Sequence, residues 1–459
     1  MDVAGQRILI LGLAREGESL ARFLAERGAQ ITVTDAASRD RLAERIRRLR
    51  DLPVDIVVGG HHPELVTGAD RFFVSPGVPE SSPVYEAARR AGLIVESMTT
   101  LFFARCPAPI VGVTGSSGKT TTTSLIGHVL RTAGRDVTVA GNIGSPMLDA
   151  LASLAPGGLA ILELSSFQLE LLRRSPHIAV VTNISPNHLD RHGTMERYVA
   201  AKRHILEHQG PDDWAVLNAG DSVVAGMATT SPGRVRWFGD DTARDGAAVQ
   251  AGVLALRRGD RFEPVMPVNE IPLLGAHNVE NVLAATTVCD LLGVDPATIA
   301  SAVRSFRPPE HRLQTVGQRR GVTYVDDSIA TSPTRAIVAL RAIDQPVLLI
   351  AGGRDKNLPW EEFALVVAER VRALFLIGEA APCIEEAVRG AIGSAGATLQ
   401  EDHIHRCATL ADSVRAASAE ARPGDVVLLS PACTSYDMFN DFAERGSAFA
   451  HTVEELHAA

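Results

Sequence analysis

A three-domain α/β fold is predicted by a pattern that recurs at the head of each third of the chain. Arg7-Ile8-Leu9-Ile10-Leu11-Gly12, Pro109-Ile110-Val111-Gly112-Val113-Thr114-Gly115 and Pro346-Val347-Leu348-Leu349-Ile350-Ala351-Gly352-Gly353 each set a β-branched or leucine-rich run before a glycine turn. A short apolar run, a turn and an amphipathic stretch are the parts of a parallel βαβ unit. Two proline seams, Cys106-Pro107-Ala108-Pro109 and Phe306-Arg307-Pro308-Pro309-Glu310-His311, separate the units, because residues before proline are pushed out of the helical region. Length agrees, since 459 residues at roughly 150 per domain make three. The expected domains are 1–106, 107–307 and 308–459.

The first domain reads as Rossmann-like. Gly12 to Gly17 follows a strand and opens a helix carrying Leu20, Phe23 and Leu24, and Asp35 ends the next strand, Gln30-Ile31-Thr32-Val33-Thr34. The glycine spacing is not GxGxxG, so a ribose or base contact by Asp35 and simple tight packing of the turn both stay open. Arg39 to Asp51 holds five arginines, but Leu42, Ile46 and Leu49 fall at i, i+4 and i+7 and Glu44 precedes Arg48 by four, which makes a solvated amphipathic helix.

The second domain reads as a parallel sheet of P-loop ATPase type. Strand Ile110–Thr114 leads into Thr114-Gly115-Ser116-Ser117-Gly118-Lys119-Thr120 and then a helix with Leu125, Val129 and Leu130 on one face, ending at Gly134. Glycines let backbone N–H groups curl around a phosphate, the helix start adds partial positive charge, and Lys119 neutralises the anion. Thr120 is placed to ligate the magnesium of ATP. Val113 stands where the first glycine of the full GxxxxGK[ST] spacing belongs, leaving GxxGKT. Glu163 ends the strand Leu159-Ala160-Ile161-Leu162, and Ile178-Ala179-Val180-Val181-Thr182-Asn183 delivers Asn187-His188-Leu189-Asp190 to the same sheet edge, where carboxylates can bind a metal. Taken alone, Glu163 reads equally as a helix cap and His188 as a loop histidine. Asp295-Pro296 opens a later helix with an N-cap and an N1 proline. The third domain, after Pro346–Gly353, again reads as Rossmann-like α/β.

Composition bounds what such a fold can do. With 46% hydrophobic and 22% charged residues the chain is neither disordered nor fibrous. Its 45 basic against 54 acidic residues leave a net charge of −9, the wrong sign for a general nucleic-acid or anionic-membrane binder. Five cysteines are an odd number without metal-pair spacing. The first residues lack signal-peptide character and no apolar run approaches the ~20 residues of a bilayer span, so a reduced cytoplasmic enzyme without membrane insertion is expected.

The glycine-lysine segment, with Glu163-Leu164-Ser165-Ser166-Phe167-Gln168-Leu169 and Asn187-His188-Leu189-Asp190-Arg191-His192, resembles the Mur ligases, on their glutamate-adding branch. The match continues through Gly141-Asn142-Ile143-Gly144, Leu274-Gly275-Ala276-His277-Asn278, Glu310-His311-Arg312 and Ser430-Pro431-Ala432-Cys433-Thr434-Ser435-Tyr436-Asp437, spanning all three domains in order. The resemblance implies an ATP-driven amide ligase of peptidoglycan precursor synthesis that joins D-glutamate to UDP-N-acetylmuramoyl-L-alanine through an acyl phosphate, as a monomer. Implied ATP contacts are Ser116, Ser117, Gly118, Lys119, Thr120, Thr121, Thr122, Asn278, Asn281, Arg312 and Asp327. Two magnesium ions are implied at Thr120, Glu163, His188 and Lys202, the lysine carbamylated by CO2, with Lys119, His188 and Lys202 catalytic. Read without the resemblance, Lys202 is a surface helix lysine. Asp35, Ser75, Gly77 and Asn142 match the UDP-substrate side, and Thr331, Lys356, Ser435, Tyr436 and Phe442 the glutamate side. Ile329 stands where some relatives carry lysine, and Ala36-Ala37 follow Asp35 where a polar uridine contact would be useful. Another Mur-type ligase or a folylpolyglutamate synthetase is the alternative within the class; a P-loop regulatory ATPase is the alternative outside it.

Overall fold

Strand order decides where the glycine turns face. The computed structural model describes residues 3–143, 145–187, 189–239, 244–273, 275–307, 310–355, 358–393 and 397–458; His188 and Lys356 lie outside the described residues. The first sheet runs Val54–Val58, Gln30–Asp35, Arg7–Leu11, Arg71–Val74, Val95–Glu96, all parallel. From Arg7–Leu11 the chain winds first to one side and then to the other, so Gly12 sits at a switch point where a crevice opens.

The central sheet has nine strands, ordered Arg261–Pro267, Val253–Arg258, Gly246–Gln250, Arg234–Gly239, Trp214–Asn218, Ile178–Val181, Ile110–Thr114, Leu159–Glu163, Val137–Gly141. The first two form antiparallel pairs and the rest are parallel. Ile110–Thr114 is buried at every residue, as a parallel strand covered on both faces should be. The helix Lys119–Thr132 packs Leu125, Ile126, Val129 and Leu130 inward, and a Cβ at Gly127 would meet Val139 Cγ2 at 2.6 Å, so this helix lies close against its sheet. Asp295 caps the helix Pro296–Ser305 by accepting from Thr298 N at 2.9 Å. The third sheet runs Gln314–Arg319, Val322–Asp326, Val426–Leu429, Val347–Gly352, Val371–Ile377, Ile404–Arg406, parallel except for its first pair.

Two compact units emerge, Met1–Pro272 with Val279–Phe306, and Leu273–Asn278 with Arg307–Ala459. The first unit holds two sheets that share one apolar core, with Leu24 and Phe102 from the amino-terminal layer clustered with Met147, Leu148 and Leu162 of the central one. Each such fully buried side chain contributes roughly 1.5–3 kcal/mol. Polar ties cross the same junction: Ser19 Oγ donates to Asp149 Oδ1 at 2.6 Å and Arg15 Nη2 to the Gly141 carbonyl at 3.0 Å. The arginine-rich helix is shorter than its periodicity predicts, Ala43–Leu49, and is not purely solvated, because Arg45 reaches the buried carboxylate of Glu18 at 3.0 Å. Among the described residues no helix is long and apolar enough to cross a membrane.

Candidate active site

The turn after Ile110–Thr114 is built by backbone geometry. Gly115 has φ +148° and Gly118 φ +79°, and Gly118 is the N-cap of Lys119–Thr132. A Cβ at Gly115 would lie 1.9 Å from Thr182 Oγ1, and one at Gly118 2.2 Å from Asn281 Oδ1, so no other residue fits either place. Ser116 N donates to the Asn183 carbonyl (2.8 Å) and Ser117 N to Asn183 Oδ1 (2.9 Å), which pins the turn to the end of the neighbouring strand. Ser116 Oγ also pairs with Tyr198 Oη at 2.9 Å. Lys119 Nζ donates to the carbonyls of Gly115 and Ser116, both at 2.9 Å, so its charge is held over the turn. Thr120 is half-buried and Thr121 and Thr122 are buried, with Thr122 Oγ1 donating to Asn281 Oδ1 at 3.2 Å.

Parallel register brings Glu163 to the same edge, Val113 pairing with it directly. Its carboxylate is 2% exposed; Oε1 accepts from Asn142 Nδ2 at 2.8 Å, while Oε2 is buried with no hydrogen-bond partner among the described residues. An orphaned buried carboxylate oxygen beside a hydroxyl-bearing phosphate turn fits a hard, oxygen-seeking cation such as Mg2+. Asn142, expected on the UDP-substrate side, is thereby tied to this carboxylate. Neither the helix-cap reading of Glu163 nor the surface reading of Lys202 matches the structure. Glu163 ends a strand, and Lys202, on helix Met195–Glu207, is 1% exposed. Its Nζ donates to the Gly115 carbonyl (2.8 Å) and Thr114 Oγ1 (3.3 Å) and lies 4.8 Å from the Tyr198 ring centre. Burial, helped by the Lys119 charge, lowers the Lys202 pKa well below the usual lysine range, and Glu163 opposes this only in part. Sequence periodicity missed this because the helix buries Tyr198, Ala201, Lys202, Ile205 and Leu206 on one face, and a lysine within that stripe reads as an interruption.

The remaining residues of the first unit have structural ties. Asp35 accepts from Leu13 N (2.7 Å) through Oδ2 and from Ala37 N (2.8 Å) through Oδ1, clamping the Gly12 turn. Ser75 is buried, with Oγ donating to the Gly12 carbonyl at 2.9 Å, and the Gly77 carbonyl accepts from Arg191 Nη1 at 2.7 Å. His192, not singled out by sequence, is buried between Ser166 Oγ (2.9 Å) and a stacked Phe167 ring (5.0 Å), which locks the segment following His188.

In the second unit, Asp327 is buried; Oδ2 accepts from Ser430 Oγ at 2.8 Å and Oδ1 from Leu313 N at 3.3 Å. Burial pushes its carboxyl up to about 7, against the pull of Ser430 and the Arg312 guanidinium. Asp326 is raised in the same direction by burial and pairs with His311 Nδ1 at 2.7 Å. Thr331 is half-buried, Ser435 buried, and Tyr436 and Phe442 exposed. Asn278 is buried at the start of helix Ala276–Leu291, which also carries Asn281. Behind these loops lies Arg445, 1% exposed and absent from every sequence expectation. Its Nε donates to Ser328 Oγ (3.0 Å) and its Nη2 to the carbonyls of Ser328 (2.9 Å) and Cys433 (3.1 Å), while Ser328 Oγ donates to the Phe442 carbonyl (2.7 Å). One guanidinium therefore ties its own helix, which begins at Phe442, to the Ser328 and Cys433 segments next to Thr331 and Ser435. Gly446 beside it was the available signal, since a Cβ there would strike His311 Nδ1 at 2.1 Å.

Comparison with known proteins agrees along the chain. Residues 6–97 match the MurD-like N-terminal domain of Mur ligases, 113–289 the Mur ligase middle domain, and 311–433 the Mur ligase glutamate ligase domain. The chain is 45% identical to a UDP-N-acetylmuramoylalanine–D-glutamate ligase of Symbiobacterium thermophilum, covering 98% of each, and 41% identical to the protein of that name from Roseiflexus sp., covering 99% of this chain and 100% of the relative. The fold is similar to the crystal structure of UDP-N-acetylmuramate-alanine ligase MurC from Thermotoga maritima, with TM-score 0.60 and 20% identity over 98% of this chain and 99% of that one. By these matches and the three α/β domains that carry them, the chain belongs to the Mur ligase family.

Proposed function

We propose that this chain is an ATP-dependent ligase that joins D-glutamate to UDP-N-acetylmuramoyl-L-alanine in peptidoglycan precursor synthesis. The observation that carries the reading is the convergence of the glycine turn, Lys119, the orphaned Glu163 oxygen and the buried Lys202 at one sheet edge, in a chain 45% identical to a ligase of that name. A carboxylate is a poor electrophile and gains reactivity on taking the γ-phosphoryl of ATP. The phosphates would be received by the backbone of Ser116, Ser117 and Gly118, by Lys119 and by Thr120 to Thr122, with Asn278, Asn281, Arg312 and Asp327 as further ATP contacts. Thr120, Glu163 and His188 would hold magnesium, which when bound offsets phosphate charge and polarises the transferring group. Lys202, whose pKa burial lowers well below the usual lysine range, would add CO2 through its unprotonated amine: its nitrogen bonds the carbon, one N–H proton leaves, and the resulting anion suits a second magnesium. Asp35, Ser75, Gly77 and Asn142 are proposed for the UDP substrate, and Thr331, Lys356, Ser435, Tyr436 and Phe442 for glutamate.

The same reading carries the division at 1–106, 107–307 and 308–459, a monomeric state and a cytoplasmic place of action, where ATP and nucleotide-linked precursors are at hand. Phosphate release from ATP with UDP-N-acetylmuramoyl-L-alanine tests it across a panel of amino acids, with mass spectrometry of the product. D-glutamate should stimulate and add one glutamyl mass; stimulation by another amino acid and none by D-glutamate overturns the reading.

A further inference from the structure

The opposite end of the third sheet carries side chains that this reaction leaves without a task. His403 closes a short 3-10 turn, His405 lies in the edge strand Ile404–Arg406, and Glu420 ends the helix Leu410–Glu420. The strand is parallel to its neighbour and the helix runs back, so His403 and Glu420 meet at the amino-terminal edge of the sheet. Asp327 and Ser430 follow the carboxyl ends of their strands, on the other edge. His403 Nδ1 lies 2.6 Å from Glu420 Oε1 and His405 Nε2 3.1 Å from Oε2. All three ligand-capable atoms fall within 4.8 Å of one another. The His405 ring is held in place by stacking on Phe375 at 5.0 Å. Arg372 does not compete for the carboxylate: its Nη2 donates to the Glu420 backbone carbonyl (3.0 Å) and to Asp425 Oδ2 (2.7 Å). Side-chain exposures of 39%, 38% and 22% leave room for water at a fourth position.

We propose that His403, His405 and Glu420 form a binding site for a divalent transition cation of the Zn2+ class. Two imidazole nitrogens and one carboxylate select such ions over Mg2+, which takes oxygen ligands. Metal–ligand bonds of about 2.0–2.2 Å put tetrahedral ligand atoms roughly 3.3 Å apart, so small side-chain rotations from the present 2.6 and 3.1 Å contacts, with all three atoms within 4.8 Å, would close the site. The cation would staple a three-residue edge strand to the end of a helix, away from the residues proposed for the reaction.

The test is calorimetric titration of the full chain with ZnCl2 after chelator treatment and desalting. A Cys383→Ser background removes the exposed thiol, and Co2+ spectra read out thiolate ligation elsewhere. One equivalent should bind saturably, without a thiolate charge-transfer band, and raise the thermal midpoint. His403→Ala with His405→Ala should abolish binding and Glu420→Gln weaken it at least about tenfold, with circular dichroism and ligase activity unchanged. Binding of equal strength in the double variant, a thiolate band, or no saturation by about 1 mM overturns the proposal.

Discussion

The glycine turn of the first unit and the Arg445 network of the second control charge by opposite means. At the turn, a handful of consecutive residues gather backbone N–H groups and one lysine, held by Asn183 and by the turn's own carbonyls, in the place proposed for an incoming phosphate. Around Arg445, the side chains of His311, Asp326, Asp327 and residue 445 itself are buried and find their partners in one another, in Ser328 and Ser430, and in backbone carbonyls. The first arrangement is local. The second is assembled across more than a hundred residues, and it holds His311 and Ala432 at φ +63° and +60°, conformations that cost non-glycine residues about 1 kcal/mol or more each.

Substitutions can break this contrast, and the strongest falls on the turn. Lys119→Ala removes the lysine charge held over the turn and should lower kcat/KM by about 10^3-fold, about 4 kcal/mol, with unfolding free energy nearly unchanged; phosphate release and urea denaturation together check this. Arg445→Ala should do the reverse, costing about 3 kcal/mol of stability by leaving Ser328 and Cys433 groups buried without their donor, while ATP affinity holds. Arg445→Lys should recover only part of it, because an ammonium lacks the planar fork that spans Ser328 and Cys433. A purely catalytic loss in Arg445→Ala would remove the distinction between the regions.

Gly118→Ala is a smaller perturbation: the positive φ and the 2.2 Å approach to Asn281 Oδ1 should weaken ATP binding about tenfold in equilibrium dialysis. The most gradual effect is that of pH, spread over the whole window between the unfolded and folded carboxyl values. Asp327 has its carboxyl near 7 when folded and about 3.9 when unfolded, so the folded chain binds this proton more tightly. Its contribution to stability is full below about pH 4 and is lost as pH rises to about 7. Asp326 titrates in the same direction. Asp327→Asn should therefore flatten the decline across that window by at most about 1.4 kcal/mol per pH unit, one proton's worth; an unchanged slope in urea melts at several pH values would show that Asp327 is already ionised.

Legibility in the sequence followed locality. Thr114 to Thr120, the strands on either side and the Asp295 cap are short contiguous patterns whose consequences are fixed by 3.6- and 2-residue periodicity, and they appear in the structure as read. The arginine-rich helix was overextended because periodicity continues past the residues that pack. Lys202 was misread because a lysine inside the buried stripe of its helix finds its partners, the Gly115 carbonyl and Thr114 Oγ1, only at the end of a strand far away in sequence.

What the chain's own residues determined is the three-domain α/β organisation, the phosphate turn and the family to which they belong, because each is encoded by neighbours along the backbone. Tertiary structure alone decided that Glu163 keeps one buried oxygen without a hydrogen-bond partner among the described residues, that Lys202 is buried with its pKa lowered well below the usual lysine range, and that Arg445 ties its helix to the Ser328 and Cys433 segments. Those properties depend on desolvation and on partners far away in sequence, and neither exists until the sheets are packed.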